Sequence, residues 1–234
     1  GVEIGEGLAA AGLTGREKMI LISSPHNPAG RIWTPGELRQ LSEFCARRDL
    51  LMVADEIHHD LVFPGQTFTS FLTAAPEAAD RCFMLTAASK TFNTAGARVG
   101  TVTIPNAELR TRFQQALLVH QTQPNLLGVE LTRAAYSTRG AAWVDALVAY
   151  LDGNHRLFLD GVAEIPGLEA MPMQSTYLAW VDFSGTGMPR EDFTARVEQG
   201  ARIAANHGPT FGTGGESWLR FNPAMPRARG EEAA

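Results

Sequence analysis

Residues 82–90, Cys82-Phe83-Met84-Leu85-Thr86-Ala87-Ala88-Ser89-Lys90, decide how this chain reads. A short apolar run ends in small and hydroxylic residues, and then comes one of only two lysines among 234 residues. Two similar runs lie upstream. Met19-Ile20-Leu21-Ile22 leads to Asn27, and Leu50-Leu51-Met52-Val53-Ala54 leads to Asp55. Short, nearly continuous apolar runs bounded by turn residues are the pattern of strands buried on both faces of a parallel sheet. The 28 and 35 residues separating Asn27, Asp55 and Lys90 leave room for a crossover between successive strands. Ligands of open α/β sheets gather at the carboxyl ends of the strands. Three strands are therefore expected to deliver Asn27, Asp55 and Lys90 toward one place.

That trio has a chemical logic. A lysine beyond a buried strand is poorly placed as a solvated charge and well placed to form a Schiff base, for which the amine must lose its proton. Pyridoxal 5'-phosphate (PLP) needs such a lysine for its aldehyde and a carboxylate against its ring nitrogen. A donor to its phenolic oxygen also helps, and an Asn amide supplies one. Lys90, Asp55 and Asn27 match these roles in that order. The competing reading of Lys90 alone is a surface lysine after a strand.

Three stretches, SPHNPAGRIWTPGEL, ADEIHHDLVFPG and ASKTFNTAG, follow one another in this order. Together they resemble the fold-type I PLP enzymes of the class I/II aminotransferase superfamily. The resemblance is greatest to the MalY/PatB branch of cystathionine and cysteine-conjugate β-lyases. It runs over nearly the whole chain. Many aminotransferases carry Tyr where this chain has His58, and the HNP turn followed by Gly30, Arg31 and Trp33 points the same way. The resemblance implies an α/β large domain of the PLP-dependent transferase type with a mainly parallel sheet, followed by a small C-terminal α+β domain. It also implies a homodimer in the intact protein and a small amino-acid substrate.

By the same resemblance His58 lies near the cofactor's phenolic oxygen. Ser89 is a donor to the cofactor phosphate, and Arg98 a phosphate ligand whose forked donors suit that role; the alternative for Arg98 is a surface arginine before a strand. Arg98 departs from the β-lyase branch toward the broader aminotransferase group. Ala87 stands where many aminotransferases have a further phosphate-binding Ser. Arg220, between Leu219 and Phe221, is the implied ligand of the substrate carboxylate, with a structural salt bridge as its alternative. The neighbours His58 and His59 on extended chain point opposite ways and chelate poorly, so no metal is expected. His59 and Glu56 read as structural, and Tyr177 and Trp180 as small-domain core. Gly212, Gly214 and Gly215 lack the strand-then-helix setting of a nucleotide fingerprint.

Working outward, Thr34-Pro35-Gly36-Glu37 is a capping box with proline at the first helical position, predicting a helix from about Pro35 to Arg48. A strand is expected over Val99–Ile104, and Asn106 is expected to cap a helix bearing Leu109, Phe113 and Leu117. Helices are expected near Asn125–Ser137 and Ala141–Gly161, the second bent at Gly153. Then follow a strand over Tyr177–Asp182, a helix over Pro189–Gln199 and a strand over Ser217–Asn222. The expected domains are 1–130, the C-terminal part of the large PLP-binding domain, and 131–234, the small domain. Residue 1 is Gly, and the text opens inside what reads as a helix-to-strand connection. The relatives carry a large portion before this point, so the chain is expected to be incomplete at its N-terminus. RARGEEAA reads as a final helix cut short.

Hydrophobic residues make up 44% and charged residues 19%, ordinary for a globular protein. A net charge of −5 argues against nucleic acid as a partner. No apolar run is long enough to span a bilayer, so no membrane partner is expected. Two cysteines suggest no disulfide framework and point to a cytoplasmic location. Three functions are compatible with these residues: a carbon–sulfur β-lyase, an aminotransferase on the same scaffold, and a non-catalytic aminotransferase-like domain of a PLP-responsive regulator. No helix-turn-helix or basic arm supports the third.

Overall fold

In the computed structural model of the chain, which describes residues 13–233, the three apolar runs are strands. β1 (Met19–Ser23), β2 (Leu51–Asp55) and β3 (Cys82–Thr86) pair in parallel in that order, and β4 (Thr101–Thr103) pairs antiparallel with β3. The register sets Ser23 beside Asp55 and Asp55 beside Leu85, so the three carboxyl ends share one edge. Two further bonds extend the ladder past that edge: Ser24 N–H donates to the Asp55 carbonyl and Glu56 N–H to that of Leu85. The sheet is mainly parallel, as expected. Its antiparallel edge was not readable, because the direction of a three-residue strand leaves no mark in composition.

Helix α1 (Pro35–Arg48) makes the first crossover. Its capping box is complete: Glu37 N–H donates to Thr34 Oγ1 at 3.2 Å, and Thr34 N–H donates to Glu37 Oε2 at 2.8 Å. Its apolar stripe, Leu38, Leu41, Phe44 and Cys45, packs on Ile22, Met52, Ala54 and Cys82. The alternate residues of β1 behave differently. Met19 is 55% exposed and Leu21 64%. The expectation of burial on both faces therefore fails for β1. An apolar run reports that both faces avoid water; which face is covered depends on elements outside the run.

Two short helices follow, α2 (Phe71–Ala74) before β3 and α3 (Ala88–Thr91) after it. Asn106 caps α4 (Ala107–Val119) by accepting from the N–H groups of Glu108 and Leu109, and the expected stripe of Leu109, Phe113 and Leu117 is half-buried. Asn125 caps α5 (Leu126–Ala135), and α6 runs unbroken over Thr138–Ala163. The helix continues through Gly153, where a bend was expected, without interruption. That glycine instead leaves room for Arg227, whose Nη2 lies 2.5 Å from where a Cβ would stand.

The chain divides into two compact units, one of residues 1–25, 32–60 and 67–144, the other of 26–31, 61–66 and 145–234. The second is built on an antiparallel sheet of β5 (Glu169–Ala170), β6 (Ala179–Asp182), β7 (Asn206–His207) and β8 (Trp218–Phe221), in the order β5-β6-β8-β7. Val181 and Leu219 on its inner face pack with Val162 of α6 and with Phe183 and Phe193. The expected strands are found two residues and one residue shorter at their ends, and β5 and β7, of two residues each, were missed. The expected helix over Pro189–Gln199 is α7 (Arg190–Ala195), continued by a π turn over Arg196–Gly200. The final helix, α8, is Arg227–Ala233. The reading of residues 1–12 as the end of a connection lies outside the described residues.

Candidate active site

In the first unit, Asp55 is the last residue of β2, and Lys90 lies on α3, four residues beyond the end of the neighbouring strand β3. Both are half-buried. Burial raises the Asp55 pKa above the usual carboxylate value, while the Ile57 N–H, 3.2 Å from Oδ1, and the positive charge of Lys90 pull it back. The strands thus bring a carboxylate and a primary amine into electrostatic reach of each other. Ser89 is half-buried beside Lys90.

Local bonds fix the turn of α3. Thr91 Oγ1 donates to Asp60 Oδ2 at 3.0 Å, and Asp60 Oδ1 lies 3.1 Å from His59 Nε2. His59 Nδ1 lies 2.7 Å from the Glu56 carbonyl. The Asp60 hydrogen bond raises the His59 pKa against the effect of burial. Burial works against ionisation of Asp60, and the His59 bond and charge together with the Thr91 hydroxyl outweigh it, so its pKa is lowered. His59 and Asp60 thus favour each other's charged forms, and Asp60 anchors Thr91, the residue next to Lys90. Glu56 is buried and accepts from Phe71 N–H at 2.6 Å and from Ser70 Oγ at 3.2 Å, with burial raising its pKa. It holds the start of α2. His58 is buried at 2% exposure.

Arg98 is exposed, with φ 51° in the left-handed region. Its loop is held from α5: Asn125 Nδ2 donates to the Ala97 carbonyl at 2.7 Å, and Gly128 lets the helix approach Val99. Among the described residues, no cluster of three or more His, Cys, Asp or Glu side chains is placed to hold a metal ion.

Asn27 and Arg220 belong to the second unit, and they meet there. Arg220 Nη1 donates to Asn27 Oδ1 at 2.8 Å, and Nη2 donates to Asn206 Oδ1 at 2.7 Å. The guanidinium lies 4.7 Å from the centre of the Phe211 ring. Burial lowers the Arg220 pKa, with Tyr177 acting the other way. Arginine has no acceptor, so its bond to Oδ1 fixes which way the Asn27 amide faces and leaves Nδ2 as a donor. Asn27 sits in a tight turn in which Gly30 N–H donates to the His26 carbonyl at 2.7 Å. Gly30 has φ 67°, and its carbonyl accepts from the N–H groups of Gln174 and Ser175. Tyr177 is half-buried against the cluster that includes Leu61, Phe63 and Met173, and Trp180 is buried on the sheet face it shares with Arg220, stacked on Trp218. Sequence reasoning missed Asn206, Phe211 and Thr91; the strand carrying Asn206 is too short to show a pattern.

These side chains fit PLP by their chemistry. Within the first unit an amine and a half-buried carboxylate stand at the ends of adjacent parallel strands, and a hydroxyl and a guanidinium lie on the segment after β3.

A parallel sheet carrying this pair at its carboxyl edge is the arrangement of fold-type I PLP-dependent enzymes. The sequence model for aminotransferase class I and II matches residues 6–234, and the chain belongs to that family. It is 33% identical over 213 residues to cystathionine beta-lyase PatB of Bacillus subtilis, covering 87% of this chain and 53% of the relative. Cystalysin from Treponema denticola, whose structure contains a pyridoxal 5'-phosphate cofactor, superposes with a TM-score of 0.92 at 31% identity, over 98% of this chain and 59% of that one. A PLP-bound putative aminotransferase from Clostridium difficile gives a TM-score of 0.88 at 31% identity, over 92% and 56%. The chain thus spans about half the length of the relatives it matches.

Proposed function

We propose that this chain serves a PLP-dependent carbon–sulfur β-lyase, which converts cystathionine or a cysteine S-conjugate and water to a thiol, pyruvate and ammonia. The observation that carries the reading is the Asp55–Lys90 pair at the ends of β2 and β3. The likeness to PatB, a cystathionine beta-lyase, supports the lyase outcome. Bound PLP supplies an electron sink for the bond changes at the substrate's α and β carbons. Lys90 holds the cofactor and then, as general base, takes the proton from the substrate Cα. Asp55 keeps a proton on the cofactor ring nitrogen. Asn27 Nδ2 donates to the phenolic oxygen, which His58 neighbours. Ser89 and Arg98 bind the phosphate, and Arg220 pairs with the substrate carboxylate. The intact protein acts as a cytoplasmic homodimer. Cys45 and Cys82 fit that compartment: both are free, and burial pushes their thiol pKa values up to about 11 and about 12, so they stay protonated.

Titrating the purified chain with PLP is expected to give a visible absorbance band that Lys90→Ala abolishes. With cystathionine the intact enzyme is expected to release thiol and pyruvate. Keto acid formed only when a second amino-group acceptor is present would overturn the lyase reading in favour of an aminotransferase. That second reading draws on Arg98 and on the likeness to the Clostridium difficile protein.

A further inference from the structure

Arg220 is fixed by register before any ligand arrives. On the antiparallel sheet it lies directly opposite Trp180 of β6 on one side and Asn206 of β7 on the other, and directly opposed residues share a face. Asn206 is held in turn. His207, its neighbour in β7, has Nε2 2.8 Å from Glu198 Oε1, and its carbonyl accepts from Thr210 Oγ1 at 2.6 Å. The close backbone approach of Gly208 to Gly215 leaves no room for a Cβ at either position and secures the end of the strand. Asn206 is exposed as a residue, and these contacts tie down the strand that carries it.

The donor inventory of Arg220 then becomes informative. A guanidinium has five N–H groups. One on Nη1 goes to Asn27 and one on Nη2 goes to Asn206. Nε is buried without a partner among the described residues. That leaves one N–H on each terminal nitrogen, two donors for the two oxygens of a carboxylate. Both protein acceptors are neutral amide oxygens, and no carboxylate pairs with Arg220 among the described residues. A structural arginine would be expected to face an acid. Here the side chain is oriented and, among the described residues, its charge meets no acid.

We infer that Asn206 is a positioning residue for substrate: by accepting from Nη2 without bringing charge, it presents Arg220 end-on to the carboxylate of an amino acid. The inference rests on the reading of Arg220 given above and adds to it the residue that sets its geometry and preserves its charge. An acid at position 206 would form a permanent ion pair and compete with the substrate. An alanine would free the fork to turn toward Phe211.

The test is a titration of the chain, isotopically labelled in its arginine side chains, with propionate, followed by NMR. Arg220→Lys identifies the Arg220 Nε signal. In the unmodified chain this signal is expected to move with propionate. Asn206→Ala is expected to weaken the apparent affinity about threefold and Asn206→Asp about tenfold or more, with Asn206→Gln recovering part of the loss. The visible PLP band is expected to be unchanged in all three, which also reports that they fold. If the Arg220 signal responds equally in every variant, the role of Asn206 is overturned while the carboxylate reading stands. If it fails to respond in the unmodified chain, that reading falls and the inference with it.

Discussion

Asn154 offers a decisive test of how the end of the chain is held. It sits on α6 at 4% exposure, and its amide makes three bonds to the segment leaving β8. Nδ2 donates to the carbonyls of Pro223 at 3.0 Å and Met225 at 2.7 Å, and Oδ1 accepts from Arg227 Nε at 3.2 Å. A net hydrogen bond contributes roughly 1 kcal/mol, and a buried acceptor left unpaired costs about as much again or more. Asn154→Ala removes all three bonds and strands the Met225 carbonyl, while that of Pro223 keeps the Met225 N–H at 2.8 Å, so a loss of about 3 kcal/mol is expected. Asn154→Asp separates the hydrogen bonds from the packing. It keeps the shape and the Arg227 contact but turns a carboxylate toward two carbonyl oxygens. It is expected to cost at least as much as alanine. Urea unfolding followed by circular dichroism measures both. An aspartate variant as stable as the unmodified chain would show that the Arg227 contact and not the amide donors holds the segment, and the reasoning would be refuted.

Three other outcomes are expected. His155 is 4% exposed, stacked on Phe63 at 5.4 Å, and burial lowers its pKa while Asp152 opposes the shift. The unfolded chain therefore binds that proton more readily. Its contribution to stability is full above about pH 6.5 and is lost as pH falls toward the lowered folded value. His155→Phe should flatten the decline in urea midpoint between about pH 7.5 and 5, and parallel declines would count against this. Gly30→Ala meets both a φ of 67° and Met173 Cγ 2.7 Å from the new Cβ; a loss of about 2 kcal/mol in the same unfolding assay is expected. Under the proposed function, Asp55→Asn should keep the visible PLP band and lower turnover by about 100-fold or more, since only a carboxylate holds the ring-nitrogen proton; turnover within about threefold would remove Asp55 from that role.

Much of the first sheet was legible because its strands are short apolar runs that end in polar residues, and because Thr34 and Glu37 announce the helix between two of them. The pairing of Lys90 with Asp55 followed from the same pattern, since adjacent parallel strands deliver their ends to one edge. What stayed hidden was set by tertiary contacts. Met19 and Leu21 are as apolar as Ile20 and Ile22, and only the placement of α1 separates the exposed pair from the covered one. Gly153 suggests a bend because glycine weakens a helix, but the room it leaves for Arg227 depends on a partner 74 residues away. Arg220 could be picked out between two apolar neighbours, but Asn206 could not. A two-residue strand carries no period, and its significance comes from lying opposite Arg220 in register.

The two lysines differ in more than position. Lys18 is exposed just before β1, and Lys90 is half-buried on α3. Any reagent selective for side-chain amines therefore meets one open target and one guarded target. Lys18 acts as a built-in reference, so the ratio of modification at the two sites reports accessibility at Lys90 without correction for dose. A carbonyl compound that occupies Lys90 would lower that ratio by itself. The scarcity of lysine makes the chain a two-channel chemical sensor whose informative channel is the residue on which its proposed chemistry depends.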